Sequence, residues 1–295
     1  MAAQPVNVWR VVLTVPTAAV PALESAFEAA FDEDLLALSN FKATQPPVFD
    51  WRFEALLATP PSEDQLTVLA LAGGVPRAAI EAGPLQKADW VAQSHGLNPP
   101  VRAGRFYVRG SHVTDPVPGG SWALLIDGTT AFGTGQHEST RGCLTALDRI
   151  LRSHKARRLM DLGCGTGILA LAMARALRRP VLATDIDPEA VRVTDENRRR
   201  NRLNREVHAV TAPDLRHRVI ATRKPFDLVT ANILALPLRK LAHELARHVA
   251  PGGYVVLSGI LAGQAAGVTA AYRQAGFRLV ARLAQGDWRT LVVRR

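Results

Sequence analysis

The chain has 295 residues, 47% of them apolar, more than one ordinary domain of ~100–200 residues uses, so two domains are expected. Two cysteines, Cys143 and Cys164, with no CxxC pair and no metal-like His/Cys spacing, argue against a disulfide framework and a bound metal. No run approaches the ~18 apolar residues of a membrane span and no basic leader precedes an apolar core, which points to a cytoplasmic protein with no membrane contact. The formal charge of +10 is unevenly placed: residues 1–95 hold 11 acidic and 5 basic side chains, net −6, and residues 96–295 are net +16.

In chain order, residues 7–15 alternate around Val8, Val12 and Val15 as a strand does, and the Ala/Phe-rich stretch 18–31 reads as a helix. Strands at 35–41 and 51–58, a helix at 62–72 stopped by Gly73-Gly74, and a strand near 77–82 complete the order βαββαβ. That order is the ferredoxin-like pattern, four antiparallel strands carrying two helices on one face. Ser62, followed by Glu63 and Asp64, supplies a cap and an acidic first turn for the second helix. The first domain is therefore placed at 1–84, with a linker at 85–104 that contains Asn98-Pro99-Pro100.

From 105 to 295 the pattern changes. Short strands at 105–109 and 122–126 precede a helix at 138–151; strands at 158–161, 181–185, 226–231 and 254–258 then alternate with helices at 168–177, 188–200, 236–249 and one ending at 275. This is a doubly wound, Rossmann-like α/β domain. Two last apolar runs, 277–283 and 289–293, are close enough to pair antiparallel at the sheet edge.

The strongest local signal is Asp161-Leu162-Gly163-Cys164-Gly165-Thr166-Gly167-Ile168-Leu169, a strand end passing through three alternate glycines into a helix. A sharp turn that lets a ligand approach the backbone needs residues without Cβ atoms. The acidic Asp161 stands where a dinucleotide's pyrophosphate would be repelled, but it suits S-adenosylmethionine, whose ammonium and sulfonium are positive and whose carboxylate the loop amides at the helix N-terminus can receive; the glycines Gly163 and Gly165 let the backbone approach it. Asp185 ends the second strand, where a carboxylate accepts from both ribose hydroxyls. Asp187 competes for that role and otherwise caps the helix beginning at Pro188.

A second glycine-rich turn, Ala131-Phe132-Gly133-Thr134-Gly135-Gln136-His137-Glu138-Ser139-Thr140, ends in hydroxyl residues at a helix start. With DLGCGTGIL, Asn232-Ile233-Leu234 after the strand at 226–231 and Ser258-Gly259-Ile260-Leu261 at the end of the strand at 254–258, it makes residues 105–295 closely resemble the bacterial ribosomal protein L11 methyltransferases. The resemblance implies a class I methyltransferase domain that uses S-adenosylmethionine, joined to a small ferredoxin-like domain that recognises ribosomal protein L11. Carried over position by position, it implies cofactor contacts at Thr140, Gly163, Asp185 and Asn232. At Gln136, Glu138 and Ser139 the chain departs from the threonine, proline and threonine more frequent in that family.

The chemistry asks mainly for positioning, because a sulfonium is already an activated electrophile. A lysine amine of pKa ~10.4 is neutral about once in 10^3 molecules at pH 7, a cost of roughly 4–5 kcal/mol, against about 1 kcal/mol for an α-amine. Burial beside a cation favours the neutral form, so no dedicated base is compulsory. Asn232, at the carboxyl end of the strand at 226–231, is the expected catalytic residue, orienting the amine or the cofactor; the alternative is a cap for the helix near Pro237. His137 is a weaker candidate for accepting a proton. Cys164 sits where the loop needs a small side chain, which argues against a nucleophile.

The arginines at 192, 198, 199, 200, 202 and 205 form either a solvated helix face or a patch facing ribosomal RNA. Two rival functions remain: a nucleic-acid methyltransferase, suggested by the basic second domain, and a non-catalytic cofactor-binding scaffold. The acidic first domain opposes the former and the intact glycine loop the latter. Nothing in the sequence demands more than a monomer.

Overall fold

The computed structural model describes residues 9–31, 34–42, 50–84, 100–111, 113–126 and 138–295. They fall into two compact units, 1–88 and 89–295. The first contains β1 (Trp9–Pro16), α1 (Val20–Phe31), β2 (Leu35–Lys42), β3 (Asp50–Leu57), α2 (Glu63–Gly73) and β4 (Glu81–Pro84). Its sheet runs β2-β3-β1-β4, every pair antiparallel. The ferredoxin-like order expected from sequence is the order found.

Alternation explains the register. Val11, Leu13 and Val15 of β1 lie opposite Ala55, Phe53 and Trp51 of β3, all buried. Phe27 of α1 stacks on Phe53 with centroids 6.1 Å apart. Ser62 caps α2 as expected, and Gln65 closes a capping box: its amide donates to Ser62 Oγ (3.2 Å) and its side-chain oxygen accepts from the Ser62 amide (2.8 Å). The last strand lies slightly later than expected. Residues Arg77–Ala79 form a 3-10 turn, because Pro76 fixes its own φ at −62° and the Ile80 amide closes onto the Arg77 carbonyl.

In the second unit, β5 (Val101–Ala103), β6 (Phe106–Arg109) and β7 (Trp122–Leu125) make a small three-stranded sheet. β5 falls in the stretch assigned to the linker and is tied down because Ala103 and Phe106 pair and are both buried. The main sheet is built from β8 (Leu159–Leu162), β9 (Val181–Asp185), β10 (Val207–Thr211), β11 (Phe226–Asn232), β12 (Val249–Leu261), β13 (Arg278–Gln285) and β14 (Trp288–Arg294), with α3 (Glu138–Ile150), α4 (Ile168–Leu177), α5 (Pro188–Arg200), α6 (Arg218–Ala221), α7 (Ala235–Ala246) and α8 (Ala265–Gln274).

The strand order is β10-β9-β8-β11-β12-β14-β13. The first five are mutually parallel, and β14 and β13 add antiparallel at the edge. Two apolar layers enclose the sheet. One gathers Leu144 and Leu147 of α3 with Leu171 and Met173 of α4; the other gathers Leu238 and Leu245 of α7 with Val268 and Tyr272 of α8. Strands buried on both faces read as continuous apolar runs, which is why β8, β9 and β11 are visible in the sequence. The order reverses between β8 and β11, and in open sheets of this kind such a switch point marks the crevice, at the carboxyl ends of the strands, where ligands bind.

Candidate functional site

At that crevice β8 delivers Asp161 and runs into the glycine loop. The Gly163 and Cys164 amides both donate to the Thr184 carbonyl of β9 (2.8 and 3.0 Å), and the Gly167 amide closes onto Cys164 (2.8 Å). Gly163 has φ +68°, and a Cβ there would meet Ile233 Cγ2 at 2.3 Å; at Gly167, φ +79°, it would meet Thr194 Cγ2 at 2.7 Å. Both positions therefore exclude any side chain.

Asp161 lies beneath the loop, 1% exposed. Its Oδ1 accepts from the Thr230 hydroxyl of β11 (2.6 Å) and its Oδ2 from the Ala170 amide in the first turn of α4 (3.0 Å). Burial pushes its pKa up to about 7, the nearby Asp185 charge adding to that and the two hydrogen bonds opposing it. The carboxylate thus braces strand, loop and helix. Asp185, half-buried at the end of β9, accepts from the Gly165 amide (2.9 Å) and from the Asp187 amide (3.1 Å). Its pKa is raised, chiefly by burial. Asp187 caps α5 by accepting from the Glu189 amide (2.8 Å), the role expected of it beside Pro188.

On the other side of the switch point, Asn232 ends β11 and donates from Nδ2 to the hydroxyl of Thr140, a buried residue in the first turn of α3 (3.2 Å). The helix that follows has Leu234 at its cap, without a side-chain hydrogen bond, so Asn232 does not cap it. Its Oδ1 is buried and has no partner among the described residues. A buried acceptor left unmatched costs about 1–3 kcal/mol, which a donor arriving with a ligand removes. Ser258 fastens the start of α3 to the sheet, its hydroxyl 3.1 Å from the Ser139 carbonyl and 3.0 Å from Thr290 Oγ1.

The family profile described as "Ribosomal protein L11 methyltransferase (PrmA)" matches residues 50–295. The chain belongs to the ribosomal protein L11 methyltransferase family. A ribosomal protein L11 methyltransferase of Rhodopseudomonas palustris (strain BisB5) is 43% identical over 266 residues, covering 90% of this chain and 89% of that one. One from Rhizobium leguminosarum bv. trifolii (strain WSM2304) is 48% identical over 223 residues, covering 75% and 76%. The crystal structure of ribosomal protein L11 methylase from Lactobacillus delbrueckii subsp. bulgaricus superposes with a TM-score of 0.58 at 26% identity, over 66% of this chain and 98% of that one.

In this methyltransferase the sequence-derived residues form two groups around one crevice: Asp161, Gly163, Gly165 and Asp185 on the loop side, Thr140 and Asn232 on the other. The turn 131–137, His137 included, lies outside the described residues. Sequence reasoning missed the latch that holds the loop from behind. Thr194 of α5 donates to the Gly165 carbonyl (2.9 Å) and Asn197 donates to the Thr166 carbonyl (3.0 Å). Their signal is spacing: 190, 193, 194, 197 and 201 trace one helical stripe, and its polar members are buried with the apolar ones. Cys164 is buried, and burial with the two nearby aspartates pushes its pKa well up, which removes it as a nucleophile.

Proposed function

We propose that this methyltransferase transfers the methyl group of S-adenosylmethionine to amines of ribosomal protein L11, lysine side-chain amines, the N-terminal amine or both. The residues present suit that cofactor. Gly165 and its neighbours offer backbone approach, Asp185 keeps lone pairs for ribose hydroxyls, and Asp161 sets a negative charge beneath a ligand that carries an ammonium and a sulfonium. Thr140, on the far wall, positions Asn232. When bound, S-adenosylmethionine supplies a methyl carbon already activated by its positive sulfur.

The observation that carries the reading is the free acceptor at Asn232 Oδ1. It accepts one N–H of a neutral amine and so directs the nitrogen lone pair toward the crevice. Bound on the glycine loop and Asp185, S-adenosylmethionine would supply the methyl group to the lone pair that Asn232 orients; sulfur would keep the S–C electron pair and the methylated ammonium would lose its proton to water. Because deprotonation before attack is the costly step, burial of the amine beside positive charge does the work a strong base would otherwise do. Ile233, the next residue, packs over Gly163 and offers no aromatic face on which a flipped base could stack.

The full reading is of a monomer acting in the cytoplasm. Among the described residues no helix is long and apolar enough to cross a membrane. Incubation with methyl-labelled S-adenosylmethionine, purified L11 and bare ribosomal RNA in parallel tests the substrate: label is expected in the protein, and label in RNA alone contradicts the proposal.

A further inference from the structure

A second concavity lies at the opposite edge of the main sheet. It has a volume of about 470 Å³ and is formed where β8, β9, β10 and β11 begin. Arg157 and Arg158 immediately precede β8, Arg223 lies just before β11, and His208 is the second residue of β10; Leu182 and Phe226, both buried, form its floor. β11 alone separates this edge from Asn232 by about 20 Å. The concavity therefore takes no part in holding methyl donor or amine.

Its positive charge is in excess. Among the described residues no carboxylate side chain pairs with the Arg157, Arg158 or Arg223 guanidinium, and all three are exposed. The adjacent Asp227 is engaged, its Oδ2 accepting from the backbone amides of Arg157 (2.8 Å) and Arg158 (2.9 Å). Two of the arginines singled out on α5 behave differently. Arg192 is bound to Glu189 and Glu196, and Arg198 to Asp195 and two backbone carbonyls. His208 sits below the usual histidine pKa, through partial burial and the positive charges of Arg223 and Arg198.

We infer that this concavity is a docking site for single-stranded or looped RNA, separate from the methyl-transfer crevice. Three free guanidiniums match successive phosphodiesters, the exposed His208 ring offers a face to an unstacked base, and the volume lies within the range of small-ligand sites. The inference concerns binding and stands apart from the methyl-transfer reading.

The test is fluorescence anisotropy of the full-length protein with a labelled single-stranded RNA of about 12 nucleotides, at salt from about 50 to about 200 mM. The triple substitution Arg157→Gln, Arg158→Gln, Arg223→Gln is expected to weaken binding at least tenfold and to reduce the log–log salt slope by about 2, since each phosphate contact to a single strand contributes about 0.7. A charge-matched control, Arg273→Gln, Arg278→Gln, Arg282→Gln, on exposed positions of α8 and β13, should change it less than threefold. Arg223→Glu alone, in a loop, should cost at least fivefold and guards against a folding defect in the triple variant. Absence of RNA binding by the unmodified protein, or equal losses in the site and control variants, overturns the inference.

Discussion

Asp161 and Asp185 meet at one loop with different exposures, and the difference sets two experiments. Asp161 is raised to about 7 by burial, against ~3.9 for an unperturbed aspartate. Between pH ~4 and ~7 only the folded state keeps that proton, so its contribution to stability falls as pH rises through this window. A cationic ligand above it favours the ionised form, so binding expels the proton. Calorimetry should find S-adenosylmethionine bound several-fold more tightly at pH ~7.5 than at ~5.5, with Asp161→Asn flattening the difference; equal affinity at both pH values in the unmodified protein contradicts this role. Asn232→Ala should lower turnover at least tenfold, about 1.4 kcal/mol or more, because the amine loses its acceptor; undiminished turnover removes Asn232 from the mechanism. Gly163→Ala places a methyl group against Ile233 Cγ2 in a left-handed backbone conformation, and is expected to cost about 1–3 kcal/mol of stability, read from chemical denaturation, and most of the cofactor affinity.

At the scale of elements, α5 is the part that makes the glycine loop rigid. Asn197→Ala removes the hydrogen bond that Asn197 donates to the Thr166 carbonyl inside the fold and should lower stability by about 1 kcal/mol and weaken cofactor binding. Arg199→Ala, on the exposed side of the same helix, should change neither. Denaturant titration beside cofactor titration checks both effects. Asn201, one turn further on, exchanges two hydrogen bonds with the Leu125 backbone of β7 (2.9 and 2.6 Å) and so ties the small sheet to the same helix. These roles are hard to read in sequence because asparagine and threonine ordinarily signal solvent or caps, and here they are spent on loop carbonyls inside the fold. The same physics separates legible strands from missed ones. β8, β9 and β11 are buried on both faces and announce themselves as apolar runs; β10, at the sheet edge, buries only Val207, so its pattern gives no alternation to detect. The short β5 escapes for a related reason, since three residues beside two prolines show no period at all. Glycine spacing made the cofactor loop plain, and the strand-end positions of Asp185 and Asn232 followed from it.

For the whole molecule, the division of charge is the quantity that connects fold to partner. The acidic N-terminal stretch, net −6, suits a basic protein substrate, and the basic remainder, net +16, carries three unpaired arginines on the edge of the sheet away from the crevice. Raising salt should therefore weaken RNA association steeply and cofactor binding little, a contrast that anisotropy and calorimetry read separately. The central claim is that the switch-point crevice holds S-adenosylmethionine through the glycine loop and Asp185. Isothermal titration of the full-length protein tests it most directly: S-adenosylmethionine should bind, NAD should not, and Asp185→Ala should weaken the former at least tenfold, the loss of charge-assisted hydrogen bonds worth about 1.5–3 kcal/mol. Binding of NAD, or S-adenosylmethionine binding that Asp185→Ala leaves unchanged, would contradict it.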